Sequence, residues 1–213
     1  MEALCKFSEQ TLSKGHFGSP AINAQGHMVR QDSFAAAVER GRVFAACNQS
    51  GVTTQAGLNT APTVVALINP AGSGVTGRLW CLSVGFLVAN AAAATVWLCA
   101  NSNTVAATIT ATLTTAHRCL KLGGITPAQQ GNRISAGLAT IALGYAPVGI
   151  DIIGVGLTGA ITTTPALRAM TRWYNGGVLI QPGTALTVQT STASGTSSTL
   201  GAWMWEECDL ISA

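Results

Sequence analysis

Residues 79–99 run for 21 positions without a charge, and the spacing of their apolar side chains decides what the chain can be. A stretch of that length would cross a bilayer as a helix if apolar residues filled it throughout. Here they alternate. Trp80, Leu82, Val84, Phe86 and Val88 fall on one side, and Cys81, Ser83, Gly85 and Leu87 on the other. Asn90 and a run of alanines occupy the middle, where Leu and Ile would be expected, and Arg78 is the only flanking charge. Period two with a bulky and a small side predicts a strand packed on both faces, as in a sandwich, and no membrane span. An apolar run at 64–68 precedes it and stops at Asn69-Pro70-Ala71-Gly72-Ser73-Gly74. Pro fixes φ and Gly reaches positive φ without penalty, so this cluster is a turn. If the chain turns back at Asn90, the two flanking runs form a hairpin in which Val84 faces Val96, Leu82 faces Leu98 and Cys81 faces Cys99.

The scarcity of charge limits how such a sandwich can live in water. Of 213 residues, 48 % are hydrophobic and only 9 % charged, against a usual charged share of about 25 %. A monomer needs a charged surface, so much of this surface is expected to lie against other subunits. The net charge of +3 is too weak to argue for nucleic acid. The charges are also unevenly placed. Residues 1–42 hold Glu2, Lys6, Glu9, Lys14, Arg30, Asp32, Glu39, Arg40 and Arg42, whereas residues 43–205 hold only Arg78, Arg118, Lys121, Arg133, Asp151, Arg168 and Arg172. A boundary at residue 42 follows, with an N-terminal arm at 1–42 and a β-sandwich domain at 43–213. The arm is polar, with scattered Phe7, Phe17 and Phe34, loop composition at 13–20 and one or two helical turns at 33–38. Its candidate partner-binding residues are Lys6, Phe7, Lys14, Phe17, Arg30, Arg40 and Arg42. It either docks on a neighbouring surface or wraps its own sandwich, and composition leaves both open. No apolar core of signal-peptide length is visible in the first twenty residues, so the mature chain is expected to begin near Met1.

Downstream the pattern stays β. Candidate strands lie at 105–115 and 117–122, while 134–143 reads as strand or helix and 162–172 as a short helix or turn. Residues 177–181, 185–191 and 199–206 read as a three-stranded meander. Its first turn, Gln181-Pro182-Gly183-Thr184, has Pro and Gly at the central positions of a type II turn. In the closing strand Trp203 and Trp205 share one side, and Ala202, Met204 and Glu206 the other.

Motif chemistry is absent. Gly154-Val155-Gly156-Leu157-Thr158-Gly159 matches the dinucleotide fingerprint as a string, but Thr162-Thr163-Thr164-Pro165 follows where a helix is needed, and no acidic residue lies from 174 to 188. Asp151 is the single carboxylate of the body, so paired-carboxylate hydrolysis has no partner there unless Glu206, Glu207 and Asp209 approach. A triad would have to draw on His117 and Asp151, and nothing local supports one. Cys5, Cys47, Cys81, Cys99, Cys119 and Cys208 show no Cys-x-x-Cys spacing, so they read as free small hydrophobes with no zinc and no bridge. Asn48-Gln49-Ser50 is a formal sequon. The chain reads as non-enzymatic, with no cofactor and no metal.

In its order of features the chain resembles small structural proteins of tailed-bacteriophage heads and tails. The resemblance rests on an arm, then Ile68-Asn69-Pro70-Ala71-Gly72-Ser73-Gly74, then an alternating strand, then Gly201-Ala202-Trp203-Met204-Trp205-Glu206-Glu207, and it spans residues 43–207. It implies an all-β, jelly-roll-like antiparallel β-sandwich with an extended N-terminal arm. It further implies a homo-oligomer, a trimer, that decorates or cements a capsid, with itself and the major capsid protein as partners and neither nucleic acid nor membrane. The expected location is the virion, assembled in the host cytoplasm. No catalytic residue is carried over. A receptor- or glycan-binding head of a tail or fibre is the alternative, with Trp97, Trp173, Tyr174, Trp203 or Trp205 stacking on sugar; core packing of those aromatics is the competing reading.

Overall fold

A computed structural model describes residues 33–48, 51–54, 63–88, 94–101, 109–110, 118–120, 134–141, 148–156, 169–191 and 194–209. Among them are one helix, α1 (Ser33–Glu39), and twelve strands. The strands are β1 (Val43–Cys47), β2 (Val52–Thr54), β3 (Thr63–Asn69), β4 (Val75–Val88), β5 (Ala94–Asn101), β6 (Ile109–Thr110), β7 (Arg118–Cys119), β8 (Ser135–Ile141), β9 (Val148–Gly156), β10 (Met170–Ile180), β11 (Thr184–Thr190) and β12 (Ser194–Asp209). The chain divides into two compact units, residues 1–36 and 37–213, and the second holds both sheets. The helix ends in a Schellman motif. Gly41 takes φ 69°, its N–H donates to the Val38 carbonyl (2.9 Å), and Arg42 N–H donates to the Ala37 carbonyl (3.1 Å). β1 begins directly after it.

The strands form two antiparallel six-stranded sheets. Sheet I runs β10-β4-β12-β1-β7, with β2 also on β12; sheet II runs β6-β8-β3-β11-β5-β9. The pairing is nested along the chain: β1 with β12, β3 with β11, β4 with β10, and β5 with β9. The sheets face each other across one core. Phe44, Leu79, Leu82, Val84, Ile180, Trp203 and Trp205 come from sheet I, and Val65, Leu67, Val96, Leu98, Leu186 and Val188 from sheet II. Trp203 and Trp205 are almost fully buried, and Phe44 stacks on Trp205 with centroids 6.0 Å apart. Gly201 faces this core, and a Cβ there would run into Val65 of sheet II. The all-β sandwich expected from the period-two pattern is therefore the fold.

The neighbours within it differ from those the sequence suggested. β4 and β5 are not a hairpin about Asn90. β4 lies between β10 and β12 in sheet I, and β5 lies between β11 and β9 in sheet II. Cys81 is opposite Trp173 and Met204, whereas Cys99 is opposite Thr187 and Gly149. Nor do residues 177–206 form a meander, because β10, β11 and β12 alternate between sheets. The reason is the same in both places: period two tells which side chains share a face, and is silent on whether the next turn returns along the same sheet or crosses to the other. A third difference is local. Trp80 is an extra residue in β4 relative to β12, since consecutive Met204 and Trp205 pair with Cys81 and Leu79. This bulge moves the inward side from Leu82 and Val84 to Leu79 and puts Trp80 on the outer face, so Trp80 leaves the bulky side to which alternation assigned it.

The remaining expectations sort quickly. The 134–143 run is strand β8. Of 105–115 and 117–122, the described strands are β6 and β7, and Met170–Arg172, expected in a helix or turn, belong to β10.

Two neighbouring corners are fixed by Asn69, which is fully buried. The Pro70-to-Ser73 turn carries the chain from sheet II to sheet I, with Gly72 at φ 79° and Ser73 N–H donating to the Pro70 carbonyl (3.1 Å). The type II turn at 181–184 carries it back, with Gly183 at φ 82° and Thr184 N–H donating to the Gln181 carbonyl (3.1 Å). Asn69 Nδ2 donates to the Val75 carbonyl (2.8 Å) and the Ile180 carbonyl (2.8 Å), and the Asn69 carbonyl accepts from Gly183 N–H (2.7 Å). One side chain thus satisfies backbone groups on both crossings, where no sheet ladder can. Asn48 does similar work where β1 gives way to β2: its Oδ1 accepts from Gly201 N–H (2.5 Å) and its Nδ2 donates to the Thr199 carbonyl (3.3 Å). Its burial and these bonds give the sequon a structural role.

Candidate functional site

The two sides of the sandwich end differently. On one side the outermost strands are β6 and β7, of 2 residues each. On the other they are β9 and β10, of 9 and 11 residues, with no described strand on their free edges. Long open edges invite association unless something blunts them. Bulges interrupt both. Ile150 and Ile153 are extra residues in β9 relative to β5, and β10 breaks register between Trp173 and Val178. In that break Asn175 (φ 51°) and Gly176 (φ 76°) are both left-handed.

Side chains join the two edges. Asp151 on β9 accepts hydrogen bonds from Arg172 Nε (3.0 Å) and Tyr174 hydroxyl (2.9 Å), both on β10, with a longer contact from Arg172 Nη2 (3.4 Å). Desolvation pulls the Asp151 carboxyl upward, but the bonds from Arg172 and Tyr174 and the guanidinium charge hold it below the usual carboxylate range. Burial, then the Asp151 carboxylate, pushes the Tyr174 phenol up, so it stays a donor. A carboxylate fixed by a guanidinium and a phenol is a structural tie. It is acceptor-saturated by its neighbours and has no second carboxylate or histidine beside it among the described residues, so it offers little to general acid–base chemistry. Sequence reasoning singled out Asp151, and Tyr174 only as an aromatic for sugar, and joined neither to Arg172. The available signal was that a lone carboxylate in an apolar strand needs a cation, and Arg172 is one of the few within reach.

This edge is also where exposed apolar surface collects. The large exposed hydrophobics among the described residues are Val148 (65 %), Ile150 (45 %), Ile152 (59 %), Trp173 (54 %) and Leu179 (51 %), and all of them lie on β9 or β10. Gly154 in β9 permits the close approach, since a Cβ there would collide with the Met170 sulfur of β10. Gly154 and Gly156 thus sit inside a paired strand, opposite Val96 and Ala94, and not in the turn that a nucleotide-binding loop requires.

The other singled-out residues are placed as follows. Of the arm candidates, Lys6, Phe7, Lys14, Phe17 and Arg30 lie outside the described residues, as do His16, His27 and His117. Arg40 is exposed. Arg42 bonds within its own domain, to buried Glu206 at 2.8 Å. Glu207 Oε1 accepts from Ile134 N–H (2.9 Å) and Trp205 Nε1 (3.3 Å). The acidic cluster therefore works in the packing of β12, with exposed Asp209 apart. Among the aromatics proposed for stacking, Trp203 and Trp205 are core, Trp97 and Tyr174 are half-buried, and Trp173 is exposed. Cys47, Cys81, Cys99 and Cys208 are free thiols, only Cys47 exposed. Burial pushes Cys99 up to about 12 and Cys208 up to about 11, Cys208 also through Glu206; Cys81 is raised by burial against a bond from Ser83. No group of three metal-ligating side chains occurs among the described residues, and no described helix is long and apolar enough to cross a membrane. No protein-family model, curated protein or solved structure matches this chain.

Proposed function

We propose that this chain is a non-enzymatic structural protein of a bacteriophage particle, a jelly-roll sandwich that decorates or cements the capsid as a homo-oligomer, a trimer, with its N-terminal arm reaching the major capsid protein or a neighbouring copy. The observation that carries the reading is the nested pairing of eight strands. Sheet I contains β1-β12-β4-β10 and sheet II contains β3-β11-β5-β9 in those orders. A ribbon whose first strand pairs its last, and so inward, wraps as two Greek keys, the jelly-roll arrangement common in viral capsid proteins and in lectins. The fold alone does not choose between those uses. The shortage of charge favours a subunit of a shell, because 9 % charged residues cover a free surface poorly. Exposed Trp173 supports the second reading, a glycan-binding head of a tail or fibre.

Quantitative mass spectrometry of purified particles tests both. Copy numbers in proportion to the shell support decoration; a few copies per particle support the tail reading; absence from particles refutes both. Removing residues 1–32, which leaves α1 and the strands in place, should abolish particle binding while light scattering still shows the oligomer. Unchanged particle binding would refute the role of the arm.

A further inference from the structure

We propose that Asn175 is a site of spontaneous modification, at which the folded chain deamidates to aspartate and isoaspartate through a cyclic imide closed with Gly176. The proposal is independent of the function proposed above. Three observations carry it. The first is sequence: Asn175 is the only asparagine followed by glycine, the others preceding Ala, Gln, Thr, Pro, Ser or Arg. Glycine has no side chain to crowd its amide nitrogen as that nitrogen closes on the neighbouring side chain. The second is placement. Asn175 is exposed, and it lies where the ladder to β4 passes from Trp173–Cys81 to Val178–Leu79, so residues 174–177 pair with nothing on β4. Asn48 and Asn69, by contrast, are buried with their amides bonded to backbone, and Pro70 gives Asn69 no N–H to react with.

The third is conformation. Asn175 (φ 51°) and Gly176 (φ 76°) are both left-handed, a region that a residue with a Cβ holds at a cost. Rotating Asn175 to bring the Gly176 nitrogen onto Cγ relieves that strain and breaks no pair with β4. There is room for it, since Arg78 and Trp80 come only to 3.8 Å of where a Gly176 Cβ would stand. In the reaction the Gly176 nitrogen forms a bond to Asn175 Cγ, the Cγ–Nδ2 bond breaks, and ammonia leaves with the proton that the Gly176 amide gives up. Water then opens the imide. Cleavage at Cγ gives aspartate, and cleavage at the main-chain carbonyl gives isoaspartate, with one more carbon in the backbone. Nothing is oxidised or reduced. Either product lowers the net charge of +3 by one unit. The new carboxylate stands on the β10 edge, next in sequence to Tyr174, the donor to Asp151. The longer backbone of isoaspartate falls in a segment whose register is already broken.

The test is incubation of the folded full chain at mildly alkaline pH, followed by peptide mass mapping and by enzymatic methylation of isoaspartate. Asn175 should exchange its amide for a carboxyl in two chromatographically distinct forms, one of which accepts the methyl group. Asn48 and Asn69 should convert at least about tenfold more slowly, because buried amides react only through local opening of the fold. The Asn175→Gly variant keeps the left-handed geometry without strain and should lose the isoaspartate signal. An Asn175 that stays amidated as long as Asn48 and Asn69 do would overturn the proposal, as would an isoaspartate signal undiminished in Asn175→Gly. Conversion confined to the urea-unfolded chain would show that the folded turn protects Asn175, and would overturn it equally.

Discussion

Replacing Asn69 by Ala tests whether one buried amide holds the sheet crossings together. The substitution removes two donated bonds of 2.8 Å, to the carbonyls of Val75 and Ile180. Each bond is worth about 0.5–1.5 kcal/mol net, and a buried acceptor left without a donor raises the loss to about 1–3 kcal/mol. The Val75 carbonyl keeps a long contact from Ser73 Oγ (3.4 Å), which offsets part of its share. The Asn69 Oδ1 has no partner to lose. The expected destabilisation is about 2–4 kcal/mol, a large part of the 5–15 kcal/mol that holds a typical domain folded. Urea unfolding followed by tryptophan fluorescence should show a lowered midpoint with an unchanged slope, because the surface exposed on unfolding is the same. Asn69→Asp separates donor loss from cavity formation. It keeps the volume but points a carboxylate at two carbonyls, and should cost more than Ala. An alanine variant within about 0.5 kcal/mol of wild type, or an aspartate variant more stable than the alanine one, would refute the clamp.

Further outcomes follow from the placement of other side chains. Cys81→Ala and Cys99→Ala should each cost about 1–2 kcal/mol, and the double variant should cost their sum, because they lie in different sheets, each on the face turned away from the core; coupling beyond about 0.5 kcal/mol would mean they touch. In the native chain a thiol reagent should modify Cys47 and spare Cys81, Cys99 and Cys208, read by peptide mass mapping. Because burial raises these thiols, their contribution is whole below the ordinary thiol value and fades as pH rises toward the value near 12 for Cys99, so alkaline pH should loosen the fold. At the other end of the scale Asp151, held below its ordinary value, stabilises above that value and ceases to do so as pH falls through its lowered one. The difference in melting temperature between wild type and Asp151→Asn should therefore shrink as pH drops below about 4, and a difference independent of pH would exclude the tie.

What could be read from the sequence was local. The alternation of β4 from Leu82 to Phe86 and that of β12, the Pro-Gly turn at 181–184 and the short helix α1 follow from side-chain period and backbone chemistry, and the structure has them. Partner choice was not legible. A turn of five residues after Asn69 can reverse a strand within a sheet or carry it over the core, and the decision rests on Asn69 meeting Ile180, which is 111 residues away. The Trp80 bulge was equally silent, since one inserted residue leaves the composition of a strand intact while exchanging its faces. At the candidate site the sequence marked Asp151 and Trp173 separately. Their neighbourhood depends on β9 and β10 ending different sheets on the same side.

The position of β12 has a consequence for how the protein is made. Residues 194–209 form the strand that separates β4 from β1 and β2, so sheet I has no centre until they have left the ribosome. β4, complete at residue 88, must wait until residue 170 for its first sheet neighbour, β10, and until residue 194 for its second, β12. At translation speeds of about 5–20 residues per second that wait lasts seconds, during which a long apolar strand has no mate. Pairings so distant in sequence also close slowly once they are possible. A product that stops short of residue 194 has the pairs β4–β10 and β1–β7 but lacks the strand that joins them into one sheet. The completed sandwich is thus withheld from unfinished chains by connectivity alone, a control that needs no chaperone to enforce it.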